Sequence, residues 1–330
     1  MIITKTPYRI SFFGGGSDYP SWYKKNGGAV LSTTIDKYIY ISCRFSPGYF
    51  KHKYRIVWRK IENVQRVNQI NHRAVRELLK HLKIKPGLEI HYYGDLPARS
   101  GMGSSSSFTV GLMNALHRVK KAKLTKSKLA NKSIFFEQKV LKEVVGSQDQ
   151  TSASFGGFNK ITFKKNNSIN VKKIKSKKNL KRLNENLVLI YTGISRTAHK
   201  IANQYVNKLT TVKSDHIERI LEYVGEGEKI LNSGDIDDFG RLLNDAWVEK
   251  KALSSLITNS KINEIYDQAM KHGALGGKLL GAGGGGFLLM YMDKNKKKNF
   301  FKRNKKLINV PFCFTNSGSE IIFDKLTKKI

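Results

Sequence analysis

An α+β protein built from two fused halves is the architecture that this sequence of 330 residues predicts. Three observations carry that expectation. The length suits two domains sharing a cleft better than one small domain. Strand-like and helical patterns occur in both halves, on either side of a lysine-rich break. Their order is too mixed for a regular βαβ array. The expected division is 1–165 and 180–330, with 164–182 as a linker or long hairpin between them.

Residues 1–5, 38–45 and 54–58 are rich in Ile, Tyr, Val and Trp and read as strands. LEIHYY (88–93) alternates, with Leu88, Ile90 and Tyr92 on one face. Phe108, Leu112, Ala115 and Val119 recur at helical spacing. A second helix is expected over about 127–145, and strand signals close the first half near 156–163. The second half opens on the apolar run NLVLIYTG (186–193). Helical patterns follow at about 197–209, 214–232, 236–256 and 260–272. GAGGGG (281–286) then leads into FLLMYM (287–292), a continuous apolar run expected of a buried strand.

Composition excludes several classes. An apolar share of 40% supports a packed core. No run reaches the roughly 18 apolar residues of a membrane span. The amino terminus enters a strand-like pattern without a signal peptide's apolar core. With Cys43 and Cys313 alone, neither a disulfide framework nor a Cys-based zinc site is expected. The expectation is a soluble cytoplasmic protein with no membrane partner.

The net charge of +35 invites a nucleic-acid reading, since Lys and Arg release counterions from a phosphate backbone. Two acid-free runs, 164–182 and 294–306, hold 9 and 8 of the basic residues, about half of the excess. Both are interrupted by Asn and other polar residues, so solvated faces are the favoured reading and no nucleic-acid partner is expected. Either reading leaves a field that attracts anionic substrates.

LPARSGMGSSSS (96–107) is the strongest local signal. It follows a strand and precedes a helix, where amide groups and the helix dipole favour anions. The expected nucleotide contacts are Arg99, Ser100, Gly101, Met102, Gly103, Ser104, Ser105 and Ser106. Gly101 and Gly103 remove side chains from the path of phosphate oxygens, and Ser104 to Ser107 supply hydroxyls that bind phosphate or metal while capping the helix. The competing reading is a serine-capped helix after a flexible loop, for which one serine would suffice. A Walker loop is absent: the nearest decoy, Gly277-Lys278, continues with Leu279 and lacks the upstream glycine.

Glu137 interrupts an apolar stripe formed by Ala130, Ile134, Leu141 and Val144. A carboxylate there is either metal-bound or a boundary residue reaching solvent. Asp149 sits in GSQDQTSASFGG (146–157), read as a short polar loop. It could accept a proton from a substrate hydroxyl or simply form an Asx turn.

The three blocks TPYRISFFGGGSDYP (6–20), LPARSGMGSSSS and KLLGAGGGGF (278–287) resemble, in order and spacing, those of the GHMP kinase superfamily, the group of galactokinase, homoserine kinase and mevalonate kinase. The resemblance spans essentially the whole chain. It implies a two-domain α+β GHMP kinase fold with ATP and acceptor in the interdomain cleft. It also implies Ser105 and Glu137 as ligands of Mg²⁺, Asp149 as the catalytic aspartate, and Arg9 near the transferred phosphoryl group. Asp18, with Gly15, Gly16 and Ser17, falls where acceptor hydroxyls are bound, and Gly284 and Gly285 belong to a third loop near nucleotide and acceptor.

Tyr8 stands where the family's first motif has glycine, and FFGGGSD replaces a galactokinase-like Ile-Gly-Glu-His run, against galactose as acceptor. GGGSDYP with YTGISRTAH (191–199) is similar to kinases of D-glycero-D-manno-heptose 7-phosphate; L-fucose kinases carry a related first motif. A phosphorylated heptose requires a second anion site. Arg196 at an expected helix start could serve, or could be exposed in a capped turn, with Lys24, Arg44 and Arg99 as further choices. The implied partners are ATP and a small sugar phosphate.

Overall fold

The structure, a computed structural model, describes residues 1–194, 204, 206 and 209–325. The first half is organised by one long hairpin. β1 (Ile2–Phe13) and β2 (Gly28–Phe45) run antiparallel and are joined through α1 (Pro20–Asn26). β3 (Tyr54–Val57), β4 (Ile61–Val64) and β5 (Leu88–Gly94) extend the sheet beyond β2, with α2 (Arg73–His81) between β4 and β5. β6 (Asn159–Phe163) pairs with the start of β2, and β7 (Ile169–Lys173) turns back along β6. The lysine-rich break is therefore a hairpin followed by α6 (Lys177–Asn186), largely solvated.

One face of this sheet carries α3 (Ser104–Val119), α4 (Lys126–Phe135) and α5 (Gln148–Phe155). Helix α3 lies close on β1 because Gly111 has no side chain. A Cβ there would stand 2.8 Å from Thr6 Oγ1, and the Thr4 hydroxyl donates to the Gly111 carbonyl at 3.1 Å. The expected single helix over 127–145 instead changes pitch. After Phe135 the chain makes a π turn, 136–140, in which the Leu141 amide donates to the Phe136 carbonyl five residues back. It then breaks at Lys142, whose φ of 52° leaves the helical region. Asp149, expected in a loop, sits in the first turn of α5, where its charge complements the helix dipole. Gln150 to Ser154 are buried, so tertiary contacts sustain a helix that weak local propensity does not announce.

The second half holds a four-stranded antiparallel sheet in the order β11-β8-β10-β9, formed by β8 (Leu187–Tyr191), β9 (Gly276–Leu279), β10 (Phe287–Tyr291) and β11 (Ile308–Asn309). With it pack α7 (Ser214–Ser233), α8 (Ile236–Leu253), α9 (Ser260–Lys271) and α10 (Lys294–Arg303). The helical pattern at 197–209 falls mostly outside the described residues. The chain then re-enters the first sheet: β12 (Phe314–Thr315) pairs with β2 and β13 (Glu320–Asp324) with β1. A sequence division at 165/180 does not anticipate that return.

The halves also share apolar core. Phe12 stacks on Phe158 at 5.2 Å and meets Phe239 of α8 edge-on at 5.3 Å, while Phe13 meets the same ring at 5.0 Å. Both β1 rings are fully buried, each contributing about 2–3 kcal/mol to the join. The FF pair thus seals the two halves directly beside the first glycine-rich motif.

Candidate active site

β1 positions the site through Pro7 and Arg9 in its middle. The Arg9 backbone amide donates to the Met102 carbonyl at 3.2 Å, its Nη1 to the Gly101 carbonyl at 2.7 Å, and the Ser107 hydroxyl to the Pro7 carbonyl at 2.9 Å. The loop before α3, together with the first turn of that helix, is thereby fixed to the sheet. Gly103 ends it in the left-handed region, with φ 75°, and no side chain caps α3. The serines expected as caps are used otherwise. The first amides of α3 have no intrahelical acceptor, so they remain available to an anion.

The Arg9 guanidinium grips Asp149 with two bonds, Nε to Oδ1 and Nη2 to Oδ2, both 2.7 Å. Gly103 lies directly on this pair: a Cβ would stand 3.2 Å from Arg9 Cγ and 3.3 Å from Asp149 Oδ2. Two adjacent elements, the phosphate loop and the start of α5, are thus locked to one strand.

Asp18 is buried at the end of the first motif. Its carboxylate accepts from the Gly16 amide at 3.1 Å and the Gln148 amide at 3.3 Å. Burial, aided by the charge of Asp149, pushes its carboxyl up to about 6 despite those amides.

Glu137 projects from the π turn and is buried behind α3, lacking the route to solvent of a boundary residue. The Ser106 hydroxyl donates to its Oε2 at 2.8 Å, and the Gln150 amide donates to the same oxygen. Burial pushes this carboxyl up to about 7 against the Thr109 hydroxyl and those two donors. Its Oε1 is buried without a hydrogen-bond partner among the described residues. Ser105, expected beside Glu137, is exposed, and Ser106 makes the contact because it lies on the inward face of α3.

A cleft of about 510 Å³ lies between the halves, and Glu137, buried behind Ser106, is not among the residues lining it. Arg9, Asp149, Asp18, Gly15, Gly16, Arg99, Gly101, Gly103 and Ser104 to Ser106, all named as candidates from the sequence, line it. Other expected residues do not. Ser17 turns inward to the Gly14 and Ala29 carbonyls, Ser100 bonds the Pro97 carbonyl, and Met102 is in the core. Gly284 and Gly285 lie behind the wall, their backbones against Ile257 and Ile194, while Gly281 and Ala282 face the cleft. Arg196 lies outside the described residues. Arg44 pairs with Glu89 at 2.8 Å, and neither it nor Lys24 lines the cleft.

Sequence reasoning missed four lining cations: Arg73, Lys142, Lys250 and Lys278. Lys278 left a readable trace, a lone charge entering an otherwise glycine-and-leucine strand, GGKLL.

Among the described residues no three His, Cys, Asp or Glu side chains gather as a metal cage. One carboxylate with the Ser106 hydroxyl on its Oε2 and its Oε1 unpartnered fits in kind the donor set of Mg²⁺, which takes one or two carboxylates and completes its shell with substrate phosphates, although the carboxylate stands behind the cleft wall.

Comparison with known proteins places the chain in a family. The GHMP kinase N-terminal domain model matches residues 69–157 and the GHMP kinase C-terminal model residues 228–308. A D-glycero-alpha-D-manno-heptose 7-phosphate kinase of Campylobacter jejuni is 30% identical, covering 96% of this chain and 97% of that one. The bifunctional fucokinase/GDP-fucose pyrophosphorylase of Arabidopsis thaliana is 23% identical over 90% of this chain. A D-glycero-D-manno-heptose 1-phosphate kinase from Bacteroides thetaiotaomicron shares the fold, with TM-score 0.79 at 23% identity, over 98% of this chain and all of that one. A putative sugar kinase from Campylobacter jejuni follows with TM-score 0.74 at 26% identity, over 97% of each chain. With both family models matched and a relative 30% identical over nearly the whole of both chains, the chain belongs to the GHMP kinases, a family of ATP-dependent kinases.

Proposed function

We propose that this kinase transfers the γ-phosphoryl group of ATP to the anomeric hydroxyl of D-glycero-D-manno-heptose 7-phosphate, giving the 1,7-bisphosphate and ADP. The observation that carries the reading is the charge of the cleft. Six cations line it (Arg9, Arg73, Arg99, Lys142, Lys250 and Lys278) against three carboxylates, Asp18, Glu143 and Asp149. Such an excess suits two phosphorylated ligands at once. The 30% identical relative named for this sugar phosphate points the same way.

In this reading the amides opening α3 and the Ser104 hydroxyl hold the nucleotide phosphates. Glu137 with Ser105 and Ser106 would hold Mg²⁺, which when bound would supply positive charge to the nucleotide phosphates. Asp149, held in one orientation by Arg9, aligns the anomeric hydroxyl and takes its proton as the new O–P bond forms and the bond to the ADP oxygen breaks. Asp18, fixed by two backbone amides, accepts from hydroxyls of the sugar. Catalysis is then chiefly positioning and charge stabilisation. The cytoplasm, where ATP is abundant, is the compartment this reaction suits, and the product would feed nucleotide activation of the heptose.

The test is ATP turnover with heptose 7-phosphate against mannose, L-fucose and galactose, with the product identified by ³¹P NMR. A second phosphate resonance at the anomeric carbon is expected with the heptose phosphate alone. Preference for unphosphorylated L-fucose would transfer the enzyme to the fucokinase reading.

A further inference from the structure

Lys278 stands out among the charged groups of the described residues. It lies on β9 in the floor of the cleft and is 6% exposed. Its ammonium donates to the Phe12 carbonyl of β1. No carboxylate among the described residues lies within ion-pair distance of it. An ammonium has three donors, and one backbone oxygen satisfies one of them. The charged group acting on it most strongly is the Arg9 guanidinium, a like charge. Other charged groups of its surroundings are engaged elsewhere. Asp149 is held by Arg9 and Asp18 by backbone amides, while on α8 Lys250 donates to the Leu279 and Gly281 carbonyls and Glu249 pairs with His216 and Arg219.

A buried cation with a cation as neighbour and no counter-ion is unfavourable for folding, and an apolar residue of the same size would pack there more stably. What relieves it is an anion delivered to the cleft. We propose that Lys278 is a phosphate-binding residue of this site, forming with Arg9 a two-cation floor that receives a phosphoryl group. Burial first, and Arg9 second, push its ammonium down to about 7, so in the ligand-free protein near neutral pH part of the population is uncharged. An arriving phosphate favours the charged form, and binding takes up a proton at this nitrogen.

The phosphoryl group has two sources, the nucleotide and the acceptor's own phosphate, and the inference rests on the kinase reading of the cleft only through them. Calorimetry on the full chain separates the two, using the non-hydrolysable ATP analogue AMP-PNP with Mg²⁺ in one arm and heptose 7-phosphate in the other. Lys278→Met should weaken one of these ligands by about tenfold to a hundredfold, and Lys278→Arg should restore most of the loss. In wild type, proton uptake read from buffers of different ionisation enthalpy should accompany the sensitive ligand near pH 8 and vanish in Lys278→Met. The ligand-free Lys278→Met protein should melt at a higher temperature than wild type. A purely structural lysine gives the opposite melting shift, and that result, or unchanged affinity in both arms, overturns the proposal. Should wild type ignore heptose 7-phosphate but bind AMP-PNP through Lys278, the acceptor assignment fails and this one stands.

Discussion

Two glycine-rich loops meet at the centre of this molecule, 101–107 and 281–286, and they use glycine for opposite ends. In the first, Gly103 brings backbone amides and serine hydroxyls to a cleft, over the Arg9–Asp149 pair. In the second, Gly286 lies against protein: a Cβ there would stand 2.1 Å from the Ser100 carbonyl oxygen, and the Phe287 amide donates to the same oxygen at 3.2 Å. Gly283 is pressed likewise on the backbone of Ile257, 2.6 Å from where its Cβ would be. The first loop turns its backbone to the cleft; the second does so only at Gly281 and Ala282, while Gly283 and Gly286 press on protein, the latter holding the first loop's start at Ser100 from behind. Composition is shared between them, and the neighbours set the role.

The contrast can be tested from its strongest consequence downward. Asp149→Asn, beside the ligand-facing loop, should lower kcat by about 10²–10⁴-fold with the melting temperature nearly kept. Near-normal turnover would remove Asp149 from the chemistry. Gly286→Ala should reduce stability by about 3 kcal/mol or more in urea titration, since backbone oxygen occupies the space its methyl needs. Gly103→Ala should cost about 1–2 kcal/mol from left-handed strain and mainly weaken nucleotide binding. A reversed ranking of the two glycines would break the distinction between ligand loop and clasp.

Asp18 supplies a pH signature. Its folded carboxyl titrates near 6 instead of 3.8, so the folded state prefers the protonated form. The penalty is fully present above pH 6, reaches about 3 kcal/mol as an upper bound, and disappears as pH falls toward 4. Asp18→Asn should therefore be the more stable protein at pH 7, lose the stability slope between pH 4 and 6, and raise the acceptor KM. A less stable variant at pH 7 would show that its amide bonds outweigh desolvation. The smallest effect is expected at Glu137→Gln, which should raise the half-saturating Mg²⁺ concentration about tenfold, read from a metal titration of turnover. An unchanged titration would leave the orphaned oxygen without a cation.

Much of the site was legible because its chemistry is written in short blocks. Arg9, Asp18, Asp149, Gly101 and Gly103 stand in local patterns, and all of them line the cleft. What escaped depended on direction. Ser105 and Ser106 are equivalent in the sequence, yet one is exposed and the other touches Glu137, because a single residue along a helix rotates a side chain by about 100°. The π turn that carries Glu137 inward and the helical start that carries Asp149 have weak local signals, since packing against α3 and the first sheet sustains them.

By itself the sequence determined the elements with strong periodicity: α3, α7, α8, α9, β5, β8 and β10 fall where apolar spacing places them. It also determined the three glycine-rich blocks, for turn and loop chemistry is a property of neighbouring residues. Only the tertiary structure decided that the chain's end returns to pair with β1 and β2, that the second glycine block clasps the first, and that Lys278 meets Arg9 across 269 residues of chain. The physical reason is range. Periodicity records which face of an element is buried, whereas the partner on that face is selected by packing and charge summed over distant segments.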